Sequence, residues 1–361
     1  AQIGLTSSLV YLIGIFLQIV IANYSDAHFS VPIKRIVIGM YLAAIVFAAA
    51  VNYLPLPIAF MMIAFSLAQA FSHATDCFIN AMIVQFNNLG LPVKYGWPRS
   101  FGSALYAVAA LILGFVIEAF SPEIIMPLFI LIAIPGILAV MLLPKPAQYA
   151  APEVLSTYSQ KASAEKISFF RMLTGNPTLI LLVGSLFIAA IGFSPANIFM
   201  IRIFEGIGGG SSNLGVNNFF SAAFQLPALC LSAVILKQFK CRNLVFATIA
   251  FHCIRLFLLL LCNSAFPIYL ISALSGINEG IYVFSTLEFA NSIVRENEKV
   301  RAQSVIAVSR TMGNVLGTSI AGVLIEASGV RLMLAFGGCM CFAAGIIMFF
   351  CIRADSKRLT A

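Results

Sequence analysis

Two arginines lie in sequence apolar enough to cross a membrane, and each opens the same pattern. Arg99-Ser-Phe-Gly102-Ser-Ala-Leu leads to Gly114-Phe-Val-Ile-Glu118-Ala, and Arg310-Thr-Met-Gly313-Asn-Val-Leu leads to Gly322-Val-Leu-Ile-Glu326-Ala. A guanidinium at the centre of a bilayer costs about 3 kcal/mol even on the gentler insertion scales. Its recurrence calls for a buried polar role, and the repeat points to two related halves. Two further ionisable groups stand in equally apolar stretches: Arg255 in Phe251-His252-Cys-Ile-Arg255 and Glu279 in Ser275-Gly276-Ile-Asn278-Glu279. An ionised carboxylate in a dry bundle is costly unless a cation faces it. Glu279 is therefore a candidate to take up a proton and to release it when Arg255 approaches. The other reading is a static ion pair that pins two helices.

Positions i, i+4 and i+7 share a helix face, so Arg99, Ser103 and Tyr106 look the same way. A guanidinium fork grips vicinal hydroxyls or a carboxylate, and an aromatic face covers the apolar side of a ring. Asn217, Ser221 and Gln225 form a second stripe, at i, i+4 and i+8. Amides lining a wet cavity serve a neutral polar ligand without burying charge. They can equally bond neighbouring helices together, the reading preferred for Asn218, which lies off the stripe. Covalent chemistry has no support: there is no phosphate loop, nucleotide-hydrolysis motif or metal cluster, and the histidines (His28, His73, His252) are scattered. No cofactor or metal is expected. The eight cysteines fall singly in apolar runs, which suits small buried side chains.

The elements that carry these residues are membrane spans. Apolar residues make up 61% of the chain and charged ones 9%, a polytopic membrane composition. Spans are predicted at about 2–24, 32–53, 56–83, 98–119, 123–143, 177–201, 212–236, 242–262, 266–292, 303–326 and 331–352. Alternate loops collect Lys34, Arg35, Lys94, Lys145, Lys161, Lys166, Arg171, Lys237, Lys240, Arg242, Arg295, Lys299 and Arg301, and the end of the chain adds Arg353, Lys357 and Arg358. The opposite loops hold only Arg202 and Arg331. By the positive-inside rule the C-terminus is cytoplasmic, so the net charge of +8 orients the protein and does not indicate nucleic acid. Eleven spans put the N-terminus outside, and the chain opens at Ala1 without a signal or basic leader. The expectation is a fragment lacking its first helix. A polar stretch at 144–176 divides a bundle at 1–143 from one at 177–352, with a cytoplasmic tail at 353–361.

With these residues in view the chain resembles the major facilitator superfamily, and within it the oligosaccharide:proton symporters typified by lactose permease. The resemblance covers nearly the whole chain. It implies a fold of two pseudo-symmetric six-helix bundles, here all-α with eleven helices, helix 1 being absent. One marker is Gln18-Ile-Val-Ile-Ala-Asn-Tyr-Ser-Asp26 followed by Lys34-Arg35, similar to the superfamily's loop between helices 2 and 3, with Ala22 in place of the usual glycine. The stronger one is Tyr95-Gly-Trp-Pro-Arg99-Ser-Phe-Gly102, similar to the family's aromatic-Gly-x-x-Arg-x-Phe-Gly segment without a gap.

The resemblance implies that Arg99 hydrogen-bonds sugar hydroxyls and that Tyr106 stands where a tryptophan stacks on the sugar. The sugar-binding glutamate falls nearest Asn80, a departure, and Asp76 one turn earlier is an alternative counter-ion for Arg99, with His73 a further turn back. A second family glutamate falls on Gln225. Glu279 corresponds to the proton-binding glutamate and Arg255 to the arginine that assists release, with His252 beside it and Gly276 in place of a histidine. Arg310 replaces a lysine that pairs with an acid in the span at 177–201, where this chain has none, leaving Glu279, Asp76, a solute anion or carbonyls as its partner. Glu288 reads as structural, with Arg295.

The implied activity is proton-coupled symport of a small polar solute, most of all a sugar or oligosaccharide, by a monomer in the plasma membrane, a bacterial inner membrane. A nucleoside or organic-anion carrier is the alternative, because Asn80, Gln225 and Arg310 depart from the galactoside pattern, and a non-transporting receptor is a third. The partners implied are the solute, protons and the lipid bilayer, with no nucleic acid.

Overall fold

The computed structural model describes residues 2–27, 33–88, 96–143, 176–295 and 298–360, with side chains described except at 22–27, 76–77, 80–88, 96–100, 233, 300–301 and 357–360. Among these residues there are twelve α-helices and no strand: α1 Gln2–Ala27, α2 Ile33–Tyr53, α3 Ile58–Asn88, α4 Gly96–Ala119, α5 Ile125–Leu142, α6 Pro177–Ile198, α7 Met200–Glu205, α8 Ser211–Cys230, α9 Ser232–Gln238, α10 Cys241–Leu261, α11 Ala265–Ile293 and α12 Lys299–Thr360. Apolar surroundings leave each backbone polar group to be satisfied within its own segment, and a helix does this.

The interruptions have local causes. Gly329, at φ 79° and ψ −177°, breaks α12 in two, a conformation that glycine adopts without steric cost. Pro195 and Pro227 each stand four residues before a break, at Phe199 and Leu231, so α7 continues α6 and α9 continues α8. Counted across these breaks, the described helices fall at the eleven predicted spans. Nine stretches among the described residues are long and apolar enough by themselves, with the two segments of α12 counted as one. The stretch that falls short is α8, where Asn213, Asn217, Asn218, Ser221 and Gln225 dilute the apolar run. The last helix runs on to Thr360, beyond the predicted end at 352.

The chain packs as two compact units. One takes residues 1–5, 96–121 and 167–361, and the other 6–95 and 122–166. Packing and chain order thus divide the molecule differently at α4, which precedes the 144–176 stretch in sequence. In the larger unit α6 lies along α12, α8 is held between α4 and α11, and α10 packs on α11 and α12. Leu179, Leu182, Leu186, Tyr282, Phe289 and Met348 are fully buried at its core. In the smaller unit α2 packs on α3 and α5 around Val37, Met40, Ala74, Phe78 and Val140.

Small residues set the closest approaches, as helices packed by van der Waals contact require. A Cβ on Gly114 would fall 2.8 Å from the Gly215 Cα, so α4 and α8 touch backbone to backbone. One turn on, Glu118 accepts the Ser212 N–H at 2.8 Å and caps the start of α8. In the second copy of this pattern, Gly322 meets Gly4 at a similar crossing. The repeated Gly-to-Glu exit is therefore a helix-crossing device.

Candidate functional site

The larger unit gathers ionisable groups from α10, α11 and α12. Glu279 stands on α11 with its side chain one-third exposed, flanked by a guanidinium and an imidazole. Arg310 Nη2 lies 3.8 Å from one carboxylate oxygen and His252 Nε2 lies 3.8 Å from the other. Neither distance is a hydrogen bond. Among the described residues the Glu279 carboxyl group makes no hydrogen bond to either neighbour. The Arg310 guanidinium also lies 4.7 Å over the Tyr282 ring, a placement the ring quadrupole favours. Glu279 and Tyr282, three apart on α11, thus grip one arginine together.

His252 is enclosed. It stacks on Phe193 of α6 at 4.3 Å and meets the edge of Tyr282 at 5.7 Å. Its Nε2 lies 3.2 Å from Asn278 Nδ2, and Nδ1 has no hydrogen-bond partner among the described residues. A neutral ring accepts from Asn278 through Nε2, whereas a ring protonated at Nε2 faces the Glu279 carboxylate instead. Arg255, 4% exposed, donates to Asn197 Oδ1 at 2.9 Å. No ion pair joins Arg255 to Glu279 among the described residues. The amide of α6 has taken the guanidinium that the sequence reading placed beside the glutamate, and Arg310 has taken the glutamate.

The α8 stripe divides. Asn217, 4% exposed, accepts from the Ser272 hydroxyl of α11 and donates to Asn218 at 3.3 Å, so it bonds helices together. Ser221 and Gln225 remain half-buried. Their backbone crowds α11: a Cβ on Gly276 would collide with the Ser221 carbonyl. This contact explains why a glycine stands where the family resemblance leads one to expect a histidine. On α4, Ser103 is half-buried and Tyr106 is 57% exposed. Asp26, Asp76, Asn80 and Arg99 fall on helices, but their side chains lie outside the described residues.

Lys34 donates to the carbonyls of Met141 and Leu143 at 3.3 and 3.1 Å, holding the end of α5 within the smaller unit, and Arg35 is exposed. Glu288 is exposed as well and Arg295 makes a backbone contact with Glu298. Sequence reasoning missed Tyr282, Phe193 and Asn197. Only Tyr282 carried a usable signal, its spacing of one turn from Glu279.

Apolar crossings that repeat internally and carry buried ionisable side chains are the build of a membrane transporter, and the chain is not an enzyme. It belongs to the MFS_1 like family, whose model matches residues 1–336. No curated protein matches the chain. Among solved structures, the nucleoside transporter NupG aligns with TM-score 0.76 at 13% identity, over 98% of this chain and 90% of its own. A bacterial homologue of the iron transporter ferroportin, in an inward-facing state, gives 0.68 at 11% over 97% and 90%. The human organic anion transporter MFSD10 gives 0.63 at 15% over 96% and 83%. At these identities the likeness shows the fold.

Proposed function

We propose that this transporter is a proton-coupled symporter of the oligosaccharide:proton type. It imports a small hydroxylated solute, a sugar or oligosaccharide, by alternating access across the plasma membrane, with its C-terminus in the cytoplasm. The supporting observation is Glu279, a partly exposed carboxylate between Arg310 and His252 with no hydrogen bond to either. Such a group binds a proton when a conformational change withdraws the guanidinium and releases it when the guanidinium returns. Arg310 is the displacing cation, and His252 holds the carboxylate's other flank. Arg255, seated on Asn197, tunes the field from a fixed position. Arg99, Ser103 and Tyr106 are the solute-binding residues of α4 and Asp76 and Asn80 those of α3, and Ser221 and Gln225 add hydrogen bonds from α8. The loop that carries Asp26, Lys34 and Arg35 is assigned to the superfamily's loop motif.

The experiment is a pulse of candidate sugars given to proteoliposomes in weak buffer. Symport predicts transient alkalinisation outside, in step with sugar uptake. Uptake without proton flux removes the coupling role from Glu279. A second reading, nucleoside transport, draws on the 0.76 TM-score to NupG. It predicts that uridine, and no sugar, gives the alkaline transient.

A further inference from the structure

The larger unit has a concavity far in character from the ionic cluster. It is a groove of about 440 Å³ between α10 and the part of α12 that follows Gly329. Every lining side chain is apolar or a cysteine. Phe246, Ala250 and Ile254 form one wall, and Phe342, Gly345 and Phe349 the other. Ile254 is 55% exposed and Phe342 63%, so the groove opens on the outer surface of a membrane-spanning unit. We propose that it binds one acyl chain of an anionic glycerophospholipid, whose headgroup meets Arg353.

Three observations carry this. Gly313, Gly317 and Gly337 on α12 are spent on helix contact: a Cβ on Gly337 would strike the Gly192 carbonyl, and one on Gly313 the Phe187 carbonyl. Gly345 differs. A Cβ there would meet nothing within 4 Å, so the missing side chain leaves a slot and not a close crossing. The second observation is length. From Cys341 at the inner end of the groove to Arg353, α12 rises about 18 Å, close to one leaflet's half of a ~30 Å hydrocarbon core.

Charge supplies the third. Arg353 is exposed, and its guanidinium lies 4.8 Å over the ring of Phe349, a groove wall. The neighbouring cation, Arg242, is already committed to Asp355 at 2.7 Å. Arg353 has no carboxylate partner among the described residues. A cation on an aromatic platform at the basic end of the helices is placed for a lipid phosphate.

The test uses the full chain in nanodiscs that contain phosphatidylglycerol or phosphatidylcholine with a photoreactive group on the acyl chain. Labelling is mapped by mass spectrometry. The expectation is strong labelling of 246–254 and 341–350 by phosphatidylglycerol. Arg353→Gln lowers it about fivefold, to the phosphatidylcholine level, the worth of one cation near an anionic surface. Gly345→Leu fills the slot and brings both lipids down to the labelling of other lipid-facing helix surfaces. Ala250→Leu does the same from the opposite wall, should the first variant fold poorly. Equal groove labelling by the two lipids in the unaltered protein overturns the anionic preference. Undiminished labelling in a folded, slot-filled variant overturns the site, as does a cross-linked dimer through this face.

Discussion

α2 of the smaller unit and α10 of the larger one bury the same register of positions with different contents. α2 buries Val37, Met40, Ala44 and Ala48. α10 buries Val245, Thr248, His252 and Leu256 at the same spacing, and adds Arg255 on a neighbouring face. A basic residue stands three places before the first of each set, Lys34 and Arg242. Lys34 holds the carbonyl end of α5, and Arg242 holds Asp355 near the end of α12. The repeat thus supplies a common frame in which a basic side chain fastens the next-but-two crossing. Chemistry is added in one copy by exchanging Ala for His and an apolar position for Arg, with the packing register kept. The exchange stands because α6 and α11 provide a matching shell: Phe193 to stack on the imidazole, Asn278 to bond it and Asn197 to hold the guanidinium.

Four substitutions probe this contrast. Arg242→Ala strands Asp355, which is 8% exposed, and removing one member of a buried pair costs about 3 kcal/mol. A large fall in melting temperature in detergent is expected, and Asp355→Asn should recover part of it in the double variant. Next comes Ala44→His, which installs the α10 residue in α2 without its shell. An imidazole buried without partners costs about 2 kcal/mol, so stability should drop while His252 chemistry is untouched. An unchanged melting temperature would mean that the shell around His252 is unnecessary. His252→Phe keeps the ring packed on Phe193 and changes stability by under about 1.5 kcal/mol. It removes the contact to Glu279, so coupled uptake should fall more than melting temperature does. Lys34→Ala is the smallest. It loses exposed bonds to two carbonyls, and a shift within about 0.5 kcal/mol is expected.

Composition and hydropathy made the crossings legible, because a bilayer admits few alternatives to the helix. Their ends were less so: α12 continues past 352, since a basic amphipathic ending does not by itself stop a helix. Candidates for the ionic cluster could be read where a charge stands alone in apolar sequence, as at Arg255, Glu279 and Arg310. Their pairing could not. The search for partners looked for acids, and the partner of Arg255 is the amide of Asn197. The α8 stripe showed a polar face but not which neighbour the face meets, and Asn217 turned out to bond Ser272. Tyr282 looked like any other aromatic residue in a helix until Arg310 was found over its ring.

The central claim is that Glu279 carries the coupled proton. It is tested by measuring solute exchange and uphill accumulation side by side in proteoliposomes that contain Glu279→Gln. Exchange at close to the unaltered rate with accumulation abolished is the predicted result. Accumulation at the full level in that variant contradicts the account and makes the Arg310–Glu279–His252 cluster a packing feature.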